Sequence, residues 1–134
     1  MSAAVIPAHV AEINGKPLRF FGSADDRPEL PRHSLDDLMV VCGFDRGDRR
    51  HFMRATQKAY GHCLRVVTTW TGPVTTAPHF VAQGLIGAAV DVGRTGNDTY
   101  EKYTRAGIDA LNAITKGVPH EAQGDWLMSA IKNS

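Results

Sequence analysis

Hydrophobic and polar positions follow an extended, strand-like pattern in two stretches of the chain. The first runs from residue 9 to residue 21 and is broken by Asn14-Gly15, the favoured pair for the two positive φ angles of a type I′ turn. The second runs from Val66 to Ala77 and is broken by Thr71-Gly72-Pro73, with β-branched and aromatic residues around the break. Each stretch therefore predicts a β-hairpin.

Elsewhere apolar residues recur every three or four positions, which predicts amphipathic helices. Capping and stop residues place five such helices at about 34–42, 48–60, 79–92, 98–115 and 125–132. In the third, apolar residues fall on nearly every side, so we expect a buried helix with Gly84 and Gly87 against a neighbouring backbone. The prolines between Gly22 and Arg32 predict a loop that contains neither helix nor strand.

The order of these elements predicts one α+β domain over residues 1–134. Two β-hairpins would form a small antiparallel sheet, and four to five helices would cover it. We expect residues 1–8 to be a loose N-terminal arm and residues 120–134 to be a C-terminal helical tail.

Composition is that of an ordinary globular protein, with 43% hydrophobic residues, 22% charged residues and a formal net charge of +1. It excludes a disordered chain and a globally basic nucleic-acid binder. No segment has the pattern of a signal peptide or of a membrane span, so we expect a cytoplasmic protein with no membrane partner. Cys42 and Cys63 form no CxxC pair and predict reduced core residues. Nothing in the sequence indicates a cofactor.

One helix carries a row of cations. Its basic residues recur at or near every fourth position, which places most of them on one side of the helix: Arg46, Arg49, Arg50, Arg54 and Lys58. Phe52, Ala55 and Ala59 are expected to face inward. Cations spaced by one turn are able to neutralise successive phosphates, so this face predicts binding to nucleic acid or to an acidic protein. The alternative is a solvated face that Asp45 and Asp48 partly compensate.

Two histidines precede predicted helices, where free amides are able to hold an anion. His33 and His79, with Gln83 one turn further on, are candidates for a small-ligand pocket or an acid/base pair. The alternative is that each histidine helps its helix to begin. The six histidines show no HxH or HxxxH pair, so we expect no metal site and assign no catalytic residue.

The layout of the chain resembles the BRO-N or prophage antirepressor type of domain. The matching residues are Lys16–Phe21 in the first hairpin, Asp36-Asp37-Leu38 with Cys42-Gly43-Phe44 in the first helix, and Val66–Ile86 in the second hairpin and its helix. The resemblance implies a phage-like or bacterial regulatory binding domain without enzymatic activity. The run Ala77–Gly84 is also similar to short bacterial proteins of unassigned function, which implies no activity.

Two other functions stay open on the sequence alone. The apolar second hairpin with Trp70, together with the C-terminal helix, would suit a protein–protein interaction module or a homodimeric adaptor that binds no nucleic acid. A small ligand-binding protein or enzyme would be centred on His33 and His79. We expect Trp126 to belong to the core.

Overall fold

Five strands form one antiparallel sheet in the computed structural model, which describes residues 4–23, 25 and 27–134. The strands are β1 (His9–Ile13), β2 (Lys16–Phe21), β3 (Arg32–Ser34), β4 (Arg65–Thr69) and β5 (Gly72–Ala77), in the order β1-β2-β3-β5-β4. Both predicted hairpins are confirmed. The first turns at Asn14 and Gly15, whose φ angles are 54° and 76°.

A short third strand joins the two hairpins. His33 pairs with Phe20 of β2 on one side and with Ala77 of β5 on the other. The prediction of a loop without strand from Gly22 to Arg32 is therefore wrong at its last residue, because β3 begins at Arg32. Three residues are too few to show a two-residue period, so the sequence carries no signal for this strand.

Helices pack on the sheet and complete the α+β fold that the sequence predicts. They are α1 (Leu35–Val41), α2 (Arg46–Tyr60), α3 (His79–Asp91), α4 (Thr99–Thr115) and α5 (Gln123–Asn133), with 3₁₀ turns at Gly61–Cys63 and His120–Ala122. The largest fully buried core side chains come from β2, α1, α3 and α4, and they include Leu18, Phe20, Phe21, Leu35, Leu38, Met39, Leu85, Ile86 and Tyr103. Burial of these side chains is the main stabilising contribution to the fold.

The expected burial of α3 on all sides is wrong. Its inner face is buried, whereas Phe80, Gln83, Gly84 and Gly87 are exposed. A Cβ atom added at Gly84 or Gly87 would meet no atom within 4 Å, so neither glycine lies against a neighbouring backbone. Glycine adds no polar side chain, so these glycines did not mark a solvent-facing side in the sequence pattern. The sequence therefore predicted that this side of α3 is more apolar than it is.

Both ends of the described chain are tied to the body. Residues 4–8 have no regular structure, but the Val5 amide donates to the Thr68 carbonyl at 2.8 Å and the Ala8 amide donates to the Phe20 carbonyl at 2.8 Å. Residues 1–3 of the expected arm lie outside the described residues. At the other end, Ala130 of α5 is fully buried, while Trp126 is half-buried at the edge of the body. In the described part of the chain, no helix combines the length and the apolar character that crossing a membrane requires.

Candidate functional site

Helix α2 begins at a reciprocal cap. The Asp48 amide donates to the Asp45 carboxylate at 2.8 Å, and the Asp45 amide donates to the Asp48 carboxylate at 3.4 Å. The hydrogen bond from the Asp48 amide is the main cause that lowers the pKa of Asp45 below its ordinary value. Such caps satisfy amides that the first turn leaves free, so this pair determines where α2 begins.

Side chains that face the core recur every three or four residues along α2. Thr56 is buried, Met53 packs against the core, and Phe52 packs on Phe44 with a distance of 5.1 Å between ring centroids. The expected inward position is confirmed for Phe52 but wrong for Ala55 and Ala59, which are exposed. The inward-facing side consists of the larger side chains of Phe52, Met53 and Thr56, and Ala55 and Ala59 stand on the solvent side.

The outer face of α2 carries four exposed cations, namely Arg46, Arg50, Arg54 and Lys58. Within residues 4–23, 25 and 27–134, no carboxylate lies within 4.0 Å of any of these four side chains. The nearby acids are engaged elsewhere, because Asp45 caps the helix and Asp48 pairs with Arg94 at 3.0 Å. We call these four residues the basic face.

Arg49 does not belong to the basic face. Its side chain is half-buried, its Nη1 donates to the Phe44 carbonyl at 3.0 Å, and its Nε lies 3.6 Å from the Asp36 carboxylate. Arg49 therefore connects α2 to α1 and to the turn between them.

Helices α1 and α2 form a helix–turn–helix in sequence order. Four residues, Cys42–Asp45, separate them, and Gly43 in this turn has a φ of +78°. A Cβ atom at Gly43 would lie 2.6 Å from the Arg94 carbonyl oxygen, so both the backbone angle and the available space require glycine. The turn is thus fixed against the loop between α3 and α4.

A groove of about 570 Å³ lies on another side of the molecule. Its walls come from four separate segments: Glu29–Arg32, the end of the 3₁₀ turn with the start of β4, the start of α3, and the end of α5. Both apolar and cationic side chains line the groove. Leu30, Pro31, Phe80 and Ile131 supply the apolar surface.

One buried carboxylate organises the cations at the groove. Glu29 is 4% exposed, and its Oε2 accepts a hydrogen bond from Arg65 Nη1 at 2.7 Å. Its Oε1 lies 3.3 Å from Arg27 Nη2 but accepts no hydrogen bond in the described part of the chain. A buried carboxylate needs such partners because leaving water costs it several kcal/mol.

Arg32 is held differently, by neutral oxygens. Its Nη2 donates to the carbonyls of Cys63 and Thr76, and its Nε donates to the Thr76 hydroxyl at 3.2 Å. Two effects lower the pKa of the Arg32 guanidinium below its ordinary value. Burial is the larger effect, and the positive charge of Arg65 is the next. Arginine nevertheless stays charged at neutral pH, so a partly dehydrated cation faces the groove.

The two candidate histidines meet the same tyrosine ring. His33 is fully buried, and its Nδ1 shares a 3.0 Å hydrogen bond with the Tyr103 hydroxyl. His79 packs on the Tyr103 ring at 5.3 Å between centroids, and its Nε2 shares a 2.9 Å hydrogen bond with the Tyr100 hydroxyl. Burial lowers the pKa of His33 to about 3, with smaller contributions from Arg32 and His79, so this ring is neutral at physiological pH.

Only one of the three residues expected in a ligand pocket lines the groove. His79 does so, whereas His33 lies inside the sheet and Gln83 is exposed on α3 and is not one of the lining residues. The residues that sequence reasoning missed are Glu29, Arg32 and Arg65. Glu29 and Arg32 belong to the proline-bearing loop, whose length was the one signal that pointed to them.

Exposed apolar side chains cluster in two other places. Trp70, at the turn between β4 and β5, is 85% exposed, and Val66 of β4 is also exposed. On α5 the exposed apolar residues are Leu127, Met128 and Ile131.

Neither metal coordination nor any known relative assigns a function to these features. Among the described residues, no group of three His, Cys, Asp or Glu side chains is placed to hold a metal ion. Comparisons of the chain with models of protein families, with curated proteins and with solved structures find no match.

Proposed function

We propose that this protein is a small regulatory binding domain, of the phage-like or bacterial kind, that contacts nucleic acid through the basic face of α2. The observation that carries the proposal is the set of four exposed cations without a carboxylate partner in the described part of the chain. Helix α2 holds five of the fifteen Lys and Arg residues and one of the fourteen Asp and Glu residues. The positive charge of a nearly neutral chain is thus concentrated on one helix.

The position of two of these cations does not serve the stability of the helix. Arg46 and Arg50 lie in or next to the first turn, where the macrodipole is positive and a cation costs about 0.3–1 kcal/mol. Such a cost is offset when phosphates approach the same amides and guanidinium groups, because each neutralised phosphate releases counterions. Placement at this end therefore supports an anionic partner.

The arrangement of the basic face favours a groove over a flat acidic surface. Successive members are four residues apart, so each is rotated by about 40° from the last, and the four sweep through about 120° around a helix about 22 Å long. A duplex major groove presents phosphates on both of its walls and accepts one α-helix. An acidic protein surface would contact a narrower stripe.

The connectivity around α2 supports the same reading. Helix α2 follows α1 after a short turn that contains glycine, which is the order of a DNA-binding helix–turn–helix with the second helix in the major groove. Its outer side is free, since a single α2 residue, Thr56, is buried. The resemblance to antirepressor domains implies a regulatory role for such binding.

Fluorescence anisotropy tests this proposal. Labelled mixed-sequence duplex DNA, single-stranded DNA and RNA are titrated with the protein at low and at moderate salt. The double substitution Arg50→Glu with Arg54→Glu is expected to weaken duplex binding by about 100-fold or more, because it removes two phosphate contacts and adds repulsion. Circular dichroism checks that the variant is folded.

A matched control separates the basic face from net charge. Arg105→Glu with Lys116→Glu changes the net charge equally at an exposed position of α4 and at the exposed residue that follows it. We expect this control to bind within a few-fold of the wild-type protein. Equal losses in the two double variants, or unchanged binding after reversal at Arg50 and Arg54, would contradict the proposal.

A second candidate function is self-association as a homodimeric adaptor. The high exposure of Trp70 and of the apolar side of α5 favours it, because tryptophan is enriched in the energetic centres of interfaces. Sedimentation velocity at protein concentrations up to about 100 μM would then show a dimer that Trp70→Ser converts to a monomer. A wild-type monomer at the highest concentration would rule this candidate out.

A further inference from the structure

We propose that the groove binds a small organic anion in which one carboxylate is attached to an apolar body. This site is separate from the basic face and does not rest on nucleic-acid binding. The proposal stands on the charge balance around the groove, on its apolar walls and on its size.

Three arginines surround a single carboxylate at the groove, so positive charge is in excess. Arg27 and Arg65 share the carboxylate of Glu29, whereas the described residues place no carboxylate within 4.0 Å of Arg32. All hydrogen bonds of Arg32 in the described chain go to uncharged oxygens. A partly dehydrated guanidinium with no carboxylate in contact favours an anion from solution, and its planar geometry suits a carboxylate.

Other groups at the same wall have the same electrostatic sign. Helix α3 begins there at Pro78–His79–Phe80, without a side-chain cap and without an acidic residue in its first turn. His79 lines the groove, and its Nε2 is engaged with the Tyr100 hydroxyl. The uncapped amides at the start of α3 add to the charge of Arg32 and direct an anion to the side of the groove where α3 begins.

The rest of the groove suits an apolar body. Phe80 and Ile131 line it, although each is about half exposed, at 49% and 51%. The ring of Phe80 packs edge-on against the ring of Tyr60, with 5.7 Å between their centroids. This contact supports the aromatic surface that Phe80 presents to the groove. The volume of about 570 Å³ lies in the range of small-molecule sites and exceeds what a single inorganic anion needs. A ring system that carries one carboxylate fits both features.

Two probes of the same shape and different charge test the proposal. Naphthalene-2-carboxylate and 2-naphthalenemethanol are titrated separately into the ¹⁵N-labelled full chain, and the amide shifts are followed by NMR. We expect saturable shifts at residues 30, 32, 63–65, 79 and 80 with the carboxylate, and binding of the alcohol that is weaker by about tenfold or more. Amides of the basic face should not move.

Variants then assign the two halves of the ligand. Arg32→Gln should remove the preference for the carboxylate, while Phe80→Ser should weaken both probes equally, because Phe80 contributes no charge. Lys58→Gln, a cation of the basic face, is the control and should change neither affinity. If Arg32→Gln does not fold, the comparison of the two probes on the wild-type protein and on Phe80→Ser still decides.

Three results would overturn the proposal. Equal affinity for the two probes would show that no anion is selected. Shifts centred outside the groove would place the binding elsewhere, and shifts that do not saturate up to about 10 mM probe would show that there is no site.

Discussion

The basic face of α2 and the groove are both cationic, but their arginines are held in different ways. On the basic face the side chains project from a convex helix into water, and no described carboxylate lies within 4.0 Å of them. At the groove, Arg32 and Arg65 are fixed by hydrogen bonds to carbonyls, a hydroxyl and Glu29. The two sets of arginines therefore differ in shape and dehydration more than in the sign of their charge.

The difference matters because the two arrangements obtain affinity from different sources. Solvated cations on a convex face gain little from any single contact and much from many contacts with condensed counterions. A guanidinium that is already dehydrated and oriented has less to lose on binding, so a single contact is worth more. This contrast leads to four predictions, given from the largest expected effect to the smallest.

Salt should affect the two sites very differently. With about four phosphate contacts, nucleic-acid binding by the basic face should weaken by about 100-fold between about 50 and about 200 mM salt. A carboxylate probe in the groove carries one charge and should weaken by about threefold or less over the same range. Anisotropy measures the first affinity and NMR titration the second. Equal salt dependence of the two affinities would remove the distinction.

Acid should destabilise the protein through His33, which follows Arg32 in β3 behind the groove. Its pKa is about 3 in the folded protein and about 6.5 when unfolded, so between these values the unfolded chain binds a proton that the folded chain does not. Stability is retained above pH 6.5 and falls as the pH drops below it, by up to about 1.4 kcal/mol for each pH unit.

Urea unfolding of the wild-type protein and of His33→Asn, from pH 7.5 to pH 4.5, measures this effect. The asparagine keeps a polar side chain but does not titrate, so the stability of the variant should fall less steeply with acid. Parallel curves would show that His33 is not the group responsible.

Removing the carboxylate at the groove should destabilise the fold. Glu29→Ala leaves Arg65 and Arg32 without a nearby anion, and we expect a loss of about 2 kcal/mol in the free energy of unfolding, which is less than for a fully buried pair because Arg65 is half exposed. Urea unfolding at neutral pH measures it. A change of less than about 0.5 kcal/mol would mean that Glu29 does not hold the groove together.

Alanine substitutions on the basic face should leave the free energy of unfolding almost unchanged. Arg50→Ala and Arg54→Ala remove exposed side chains that make no ion pair in the described chain, so each should change the free energy of unfolding by about 0.5 kcal/mol or less. Arg49→Ala is the matched contrast on the same helix. It loses the bond to the Phe44 carbonyl and the contact with Asp36, and should cost about 1 kcal/mol. Equal costs at positions 49, 50 and 54 would contradict the division of α2 into an anchoring side and a free side.

Local signals predicted most of the fold. Asn14-Gly15 fixes the first hairpin, Ser34 caps α1, and Gly93 follows α3 with a φ of +76°. Each of these features depends on residues within a few positions of one another, so its physical cause can be recognised directly in the sequence. The basic row on α2 was visible for the same reason, although its separation into Arg49 and the other four required the contacts of the folded chain.

Features that depend on distant residues were not predictable. In the short strand β3, His33 pairs with Phe20 and with Ala77. The sequence of Arg32–Ser34 alone does not identify these partners. The groove is built from four segments that lie far apart along the chain, so its charge balance appears only after folding. The sequence left open whether His33 and His79 share a pocket, and the fold brings both to Tyr103 but leaves His33 inside the sheet.

A map of amide shifts, recorded while the ¹⁵N-labelled protein binds a mixed-sequence DNA duplex at low salt, tests most directly whether the basic face binds nucleic acid. We expect the perturbed amides to lie on the outer side of α2, around Arg46, Arg50, Arg54 and Lys58, and those of the groove at residues 30, 32, 79 and 80 to stay in place. Perturbations centred on α4 or α5, or no perturbation at low salt, would show that the basic face is not a nucleic-acid surface.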